Sequence, residues 1–412
     1  MKSLFTTLSV LLIIGFSQAQ TFTNYTDADG LANNGVNCLD VATGDIMWFG
    51  TQAGVSVFDG TTWTAHNTST DTGFVNDVVT AIKVLSNGDV WIGSDFGAAH
   101  YDGSTWTTYT ESEGLGDDRI KTIFEAANGN IWFGTNDGMT VYDGVNWASY
   151  GTGDGLPFGG VTSFEQNSSG VVYVGTALGG VTISNSGVLT EITEDEGLLN
   201  DKVRSVVIDD QGYSWIGTSD GISVFDNTDQ WSAQHTTMFT LPAPDTLNPV
   251  EDIVIDSQGN IWAGVYVDYL VTEGGISAYN GTDWVQFEES DGLIGPVVRQ
   301  LAVDSQDNIW VATSTGISKI SDVDLGGSGN SIFNPELSQL NVYPNPASDQ
   351  LTVELPTNNE IGRIEFFDTS LRLVKTKNIN QSSGTIQISV SDLKTGLYVT
   401  RIGNSVSRLI VN

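Results

Sequence analysis

A unit of roughly forty to fifty residues recurs seven times in this chain, and that spacing limits the fold more than any other feature. The third copy shows it whole: Gly114-Leu115, Ile120, Ile123, Asn128-Gly129, Ile131-Trp132-Phe133-Gly134-Thr135, Gly138, Tyr142-Asp143-Gly144 and Trp147. The central glycine returns at Gly50, Gly93, Gly134, Gly175, Gly217 and Gly264, with Ala312 in the seventh place, at intervals of 43, 41, 41, 42, 47 and 48 residues. Each unit holds four short β-runs separated by turn residues. Asn87-Gly88 and Asn128-Gly129 are expected as two-residue hairpin turns with both central positions at positive φ, and Asp59-Gly60, Asp102-Gly103 and Asp143-Gly144 close the next hairpin. Four strands per unit of this length is the pattern of a β-propeller blade.

The seventh unit stops at Ile317-Ser318-Lys319-Ile320 without a fourth strand. In unit two, Trp106 is followed by Tyr109 and Gly114-Leu115; near the start of the chain, Phe22 is followed by Tyr25 and Gly30-Leu31 at the same offsets. Residues 22–25 are therefore expected to supply the outer strand of blade seven and close a ring of seven, leaving no open sheet edge. These repeats resemble the two-component regulator propeller repeats of periplasmic sensor regions in Bacteroidetes-type hybrid histidine kinases. The resemblance covers residues 22–320, and no kinase or response-regulator segment accompanies it.

After Ile320 the pattern breaks into the linker-like Asp324-Leu325-Gly326-Gly327-Ser328-Gly329-Asn330. Alternating runs follow at 351–355, 364–367, 386–390 and 396–402, which read as a small antiparallel sandwich. Tyr343-Pro344-Asn345-Pro346, Gly396-Leu397-Tyr398 and the ending Arg408-Leu409-Ile410-Val411 resemble the type A C-terminal sorting domain of the type IX secretion system. That resemblance implies passage through the type IX machinery, with removal of the domain and release of the propeller or its attachment to surface lipopolysaccharide. At the other end, Lys2, the apolar run from Leu4 to Phe16 and Ser17-Gln18-Ala19 read as a signal peptide cut after Ala19. No stretch has the length of a membrane span, and the residue directly after the cut, Gln20, is not a Cys that could carry a lipid. The expected organisation is a signal peptide (1–19), an all-β seven-bladed propeller (20–320), a linker (321–335) and an immunoglobulin-like β-sandwich (336–412), placed outside the cell or on the outer-membrane surface.

Cys38 is the only cysteine, so no intrachain disulfide forms and packing must carry stability. Residues 336–412 balance seven acids with seven bases, whereas residues 20–335 hold 43 acids against seven bases. Such a charge argues against nucleic acid and anionic membranes as partners; solubility or salt tolerance is its simplest use. All eleven tryptophans fall on repeat positions, 48, 91, 132, 215, 262 and 310 in the centre and 63, 106, 147, 231 and 284 at the outer strand, which makes them blade packing rather than a sugar platform. The scattered His66, His100 and His235 give no metal spacing. Asp209-Asp210-Gln211-Gly212 and Asp304-Ser305-Gln306-Asp307-Asn308 fall at hairpin turns and lack the ligand spacing of a calcium loop. No catalytic residue, metal or cofactor is assigned.

The scarce cations are less evenly spread. Arg119, Lys121, Lys202, Arg204 and Arg299 cluster where the first strand of a blade begins. Asn37, Thr80, Lys121, Thr162, Arg204, Glu251 and Arg299 share one repeat position, just after the leading Val or Ile. Blades three, five and seven would then present cations at the channel mouth and focus the field on an anion such as a uronate or sulfate group. The competing reading pairs Arg119 with Asp118 and Lys202 with Asp201 as weak surface contacts. Two long connections, one with His235, Met238 and Phe239 and one with Tyr266, Asp268 and Tyr269, are expected on the same face. The ligand-binding candidates are thus Arg119, Lys121, Lys202, Arg204, Glu251, Arg299, Tyr266 and Tyr269. They suggest a non-catalytic module for an extracellular anionic glycan. A polysaccharide lyase or glycosidase and an adhesive scaffold for a surface protein are the alternatives.

Overall fold

The computed structural model describes residues 20–185, 188–225, 231–235, 249–268, 272–323, 325, 338–339, 342–343, 347–355, 363–367, 373–378, 384–391, 393–402 and 405–411. The signal-peptide residues 1–19, Met238, Phe239, Tyr269 and Pro344-Asn345-Pro346 lie outside them. The chain divides into two compact units, residues 1–331 and 332–412.

Among the described residues, the first unit holds seven four-stranded antiparallel sheets, one per repeat. Their first strands are Val36–Ala42, Ala81–Val84, Ile120–Glu125, Val161–Gln166, Val203–Ile208, Val250–Ile255 and Val298–Val303. Each packs against the next, and Val298–Val303 returns to Val36–Ala42, so the order is cyclic. The last sheet is completed from the N-terminus: Thr21–Tyr25 pairs antiparallel with Ile317–Ser321, Phe22 opposite Ile320 and Tyr25 opposite Ile317. We number these sheets blades one to seven in the order of their first strands.

The repeat residues earn their places by packing one blade on the next. In six blades a fully buried leading apolar residue, Val79, Ile120, Val161, Val203, Val250 or Val298, sits on the central glycine of the blade before, while Val36 of blade one follows Ala312 of blade seven. A Cβ on Gly93 would lie 2.4 Å from Ile120 Cγ2, and one on Gly264 would lie 2.6 Å from Val298 Cγ1. Only glycine lets two backbones approach this closely. Farther out, the aromatic pairs fill the wedge between blades: Tyr142 stacks on Trp147 at 4.3 Å, and Trp147 meets Trp91 of the preceding blade edge-on at 6.4 Å.

Turn chemistry differs from expectation at the first hairpin. Gly88 and Gly129 have φ of 94° and 84°, but Asn87 and Asn128 are not in the left-handed region. Gly88 N–H donates to Leu85 O while Leu85 pairs with Asp89, and Gly129 repeats this with Ala126 and Asn130. These are three-residue loops with a bulge at glycine, which need one positive φ rather than two. The Asp-rich turns hold tryptophans: Asp209, Asp256 and Asp304 each accept the indole N–H of Trp215, Trp262 and Trp310, at 2.9, 3.0 and 2.9 Å.

Among the described residues of the second unit, a five-stranded and a three-stranded sheet share one apolar cluster. Leu351, Val353 and Ile388 come from the smaller sheet; Ile364, Phe366, Tyr398 and Leu409 come from the larger.

Candidate functional site

The seven first strands enclose a cavity of about 890 Å3. The residues at the shared repeat position all line it: Asn37, Thr80, Lys121, Thr162, Arg204, Glu251 and Arg299. Local geometry explains why. In every blade but the second, the pairing register slips across this residue, as between Val203 and Ser205 or between Val298 and Gln300. A bulged residue leaves the ladder and its side chain is re-aimed. Here that side chain reaches across to the following blade. Asn37 Nδ2 donates to Val79 O at 2.8 Å, Thr80 Oγ1 to Ile120 O at 2.7 Å and Thr162 Oγ1 to Val203 O at 2.8 Å. Arg204 donates to the Glu251 carboxylate, and Arg299 to the Asn37 side-chain oxygen. Lys121 turns instead to Asp95 of the blade before it, at 3.2 Å.

The geometry therefore brings Lys121, Arg204, Glu251 and Arg299 to one cavity and leaves three candidates elsewhere. Arg119 forms a two-pronged pair with buried Asp117, both N–H···O distances being 2.9 Å. Its expected partner Asp118 accepts the Glu111 N–H instead. Lys202 is exposed, and its backbone N–H is held by Asn200 Oδ1 rather than its side chain by Asp201. Tyr266 belongs to the extended hairpin Ile261–Asp268 and Thr272–Tyr279, its N–H donating to Pro249 O.

Deeper in the wall stand carboxylates that the repeat alignment did not single out. Asp252 accepts from Ser205 Oγ, Ile253 N and Leu301 N, all at 2.9 Å. Burial nonetheless pushes its carboxyl up to about 6, helped by the Glu251 charge and opposed by those donors. Burial likewise pushes Glu165 up to about 7, against the Gln166 backbone N–H and the Lys83 charge. Asp40 differs, accepting Lys83 Nζ at 3.0 Å and Val84 N at 2.8 Å. In sequence Asp252 stands one place after the aligned position, where the other blades carry uncharged residues, and Glu165 stands three places after it, where blades one and two also carry charges, Asp40 and Lys83.

His66 and His100 are spent on blade packing. His66 stacks on Trp48 and meets Asp71 at 2.9 Å; His100 stacks on Trp91 and meets Asp89 at 3.0 Å. Among the described residues, no group of three or more His, Cys, Asp or Glu is arranged to hold a metal ion. Nor, among them, is any helix long and apolar enough to cross a membrane.

Comparison with known proteins accords with this architecture. Residues 341–412 match the secretion system C-terminal sorting domain, and residues 114–137 and 292–315 match the two component regulator propeller. Among solved structures, the chain is similar to the extracellular domain of BT3049 from B. thetaiotaomicron, described as a hybrid two component system (19% identity, TM-score 0.61, covering 95% of this chain and 57% of that one). It is also similar to PorZ, an essential surface component of the type IX secretion system of Porphyromonas gingivalis (17%, 0.56, 93% and 60%). A third likeness is to a catalytically inactive histidine variant of virginiamycin B lyase from Staphylococcus aureus with quinupristin (14%, 0.56, 73% and 98%). At these identities the likeness concerns the fold, and the chain spans under two thirds of the first two structures. No curated protein matches it. The sorting domain indicates export to the cell surface or the extracellular space. The chain is thus an all-β protein that carries two component regulator propeller repeats and, at residues 341–412, a type IX secretion system sorting domain.

Proposed function

We propose that the protein is an exported, non-catalytic binding module that takes an anionic group of an extracellular glycan, a uronate or sulfate, at the mouth of the blade-lined cavity. The supporting observation is the pair Arg204 and Arg299, at equivalent bulges of blades five and seven. The described contacts engage one N–H of each guanidinium, with Glu251 and Asn37. A guanidinium carries five donors, so most remain for a ligand; Arg204 shares its charge with Glu251, whereas Arg299, facing the neutral Asn37, keeps its charge for an anion. The packing of His66 and His100 inside blades favours binding over histidine-dependent chemistry. In this reading a signal peptide (1–19) is removed and residues 321–335 link the propeller to the sorting domain at 336–412. That domain engages the type IX machinery and is then cleaved or exchanged for lipopolysaccharide.

The test is calorimetry of the wild type and an Arg204→Thr/Arg299→Thr variant against polygalacturonate, alginate and a sulfated dextran. The wild type should bind at least one polymer and the variant at least about tenfold more weakly. Equal binding by the two proteins, or binding to none of the three polymers, would refute it.

A further inference from the structure

Four of the loops that lead into a first strand share one device. Asn33, Asn76, Asp117 and Asn200 stand at the same repeat position. The side-chain oxygen of each accepts the N–H two residues on, from Gly35, Val78, Arg119 and Lys202, at 2.8, 2.8, 3.0 and 2.9 Å. These are Asx turns that hold the loop in shape from within. Blades four, six and seven lack it, with Phe158, Leu247 and Gly295 at this position. In blade four, Phe158 is 75% exposed, and the loop around it is made instead by Gly159 and Gly160, both left-handed at φ 110° and 63°. The Ala177 N–H closes the loop on the carbonyls of Gly159 and Gly160 at 3.1 Å. Leu178, beside it and 50% exposed, packs so close that its Cβ lies 2.7 Å from where a Gly159 Cβ would stand.

Blade two departs in a similar way. Phe96, 64% exposed, precedes the glycine of the second hairpin, where blades one, three, five and seven carry Ala53, Asp137, Asp220 and Thr315. The loops of blade three join the two departures. Gly97 N–H donates to Asp118 O at 2.8 Å, Asn136 N–H donates to Arg119 O at 3.2 Å, and the Cβ site of Gly160 faces the carbonyls of Thr135 and Asn136 at 2.9 Å. Phe96, Phe158 and Leu178 therefore share one stretch of rim. The fold does not require them, since blades one and five build both loops with small, polar or capping residues, Asn33 and Ala53 in one and Asn200 and Asp220 in the other. Exposed apolar side chains that break a local rule along one stretch of rim are where a partner is to be sought.

Charge narrows the partner. The two cations on this stretch are already neutralised, Arg119 by Asp117 and Lys121 by Asp95, while Asp118 and the exposed Asp137 remain. The local balance is negative, on a chain of net charge −35. Anionic polymers, anionic membranes and a second copy are repelled, and a basic segment is attracted. We propose that the rim of blades two to four is a docking surface for an extended polypeptide segment with aromatic or aliphatic anchors flanked by Lys or Arg. Lys121 borders both this stretch and the cavity, but Phe96, Phe158 and Leu178 do not line the cavity, and the proposal does not rest on the glycan reading.

The test pans a random dodecapeptide phage library on the full chain and measures the selected peptides, as synthetic probes, by calorimetry. Selection should enrich Phe, Trp or Leu together with Lys or Arg. A Phe96→Ala/Phe158→Asn/Leu178→Ser variant should bind those peptides at least about tenfold more weakly. Two of its three changes install what sister repeats carry, and Phe158→Asn restores the Asx turn, so its melting temperature should be kept or raised. Selection of acidic or unbiased peptides, or unchanged affinity in the triple variant, would overturn the proposal. So would loss of sulfated-dextran binding in the triple variant, which would assign the rim to a glycan. Arg204→Thr/Arg299→Thr should leave peptide affinity unchanged; weakening there would place the peptides in the cavity mouth and overturn the rim assignment.

Discussion

Glu165 gives the sharpest test of the cavity's electrostatics. Its carboxyl is pushed up to about 7 from an ordinary 4.5, chiefly by burial in the wall of blade four. The sign follows from proton counting. Between pH 4.5 and 7 the folded chain holds this proton and the unfolded chain does not, so stability falls as pH rises through that window and is level above it. A displacement of this size corresponds to about 3 kcal/mol of native-state penalty at pH 8, taking about 1.4 kcal/mol for each tenfold change. Glu165→Gln removes the charge and keeps the oxygen that accepts the Gln166 N–H at 3.1 Å. The variant should therefore be more stable than the wild type by up to about 3 kcal/mol at pH 8 and equal to it near pH 4. Denaturant unfolding at half-unit steps from pH 4 to 9 reads this directly. Asp252, pushed up to about 6 by burial, tilts both proteins alike and cancels in the difference. A difference that is the same at pH 4 and pH 8, or a variant less stable at pH 8, would refute the reasoning.

Two further outcomes check the packing. Gly50→Ala should destabilise by about 1–3 kcal/mol, because its Cβ would fall 2.3 Å from Cys38 Sγ and 2.7 Å from Val79 Cγ1; Ala312→Gly at the matching place of blade seven should cost about 1 kcal/mol or less, and thermal unfolding of both variants decides. Asp304→Ala should cost roughly 2–5 kcal/mol, since it strips the buried acceptor of Trp310 Nε1 and the Asn308 N–H and leaves Lys319, 3.6 Å away, without its counter-charge; chemical denaturation with tryptophan fluorescence reads the loss.

The parts of this fold that can be read from sequence are those in which every repeat does the same thing. Trp91, Trp132 and Trp310 fill equivalent wedges, and Gly93, Gly134 and Gly264 receive the leading residue of the next blade, so identity of residue follows identity of contact. The parts that resist reading depend on a neighbour one repeat away. Arg204 meets Glu251, 47 residues on, because a bulge turns it across the blade boundary. Arg119 takes Asp117 rather than the adjacent Asp118, because loop geometry hands Asp118 to the Glu111 N–H. Hairpin type is hidden for a different reason. An Asn-Gly pair suits both a two-residue turn and a three-residue turn with a bulge, and the surrounding ladder, not the dipeptide, chooses between them.

The ring of bulge residues explains how such a fold can acquire a ligand site without losing its closure. In blades one, two and four the side chain at this position ties one blade to the backbone of the next, through Asn37, Thr80 and Thr162. Arg204 and Arg299 make the same crossing with a longer side chain, and their partners are side chains, Glu251 and Asn37, rather than carbonyls. If the arginines were merely longer ties, threonine should replace them at no functional loss, because Thr162 at this bulge and Thr80 at the matching place of blade two show that a hydroxyl there reaches the leading residue's carbonyl. In the Arg204→Thr/Arg299→Thr variant the two new hydroxyls would reach the carbonyls of Val250 and Val36, and the ring would keep its closure. Threonine supplies one donor, already engaged, where a guanidinium offers five. The substitution thus separates the two roles that an alanine variant confounds: stability follows the tie, and anion affinity follows the spare donors. A double threonine variant that melts with the wild type yet loses the polymers assigns the arginines to recognition; one that keeps the polymers reduces them to ties between blades.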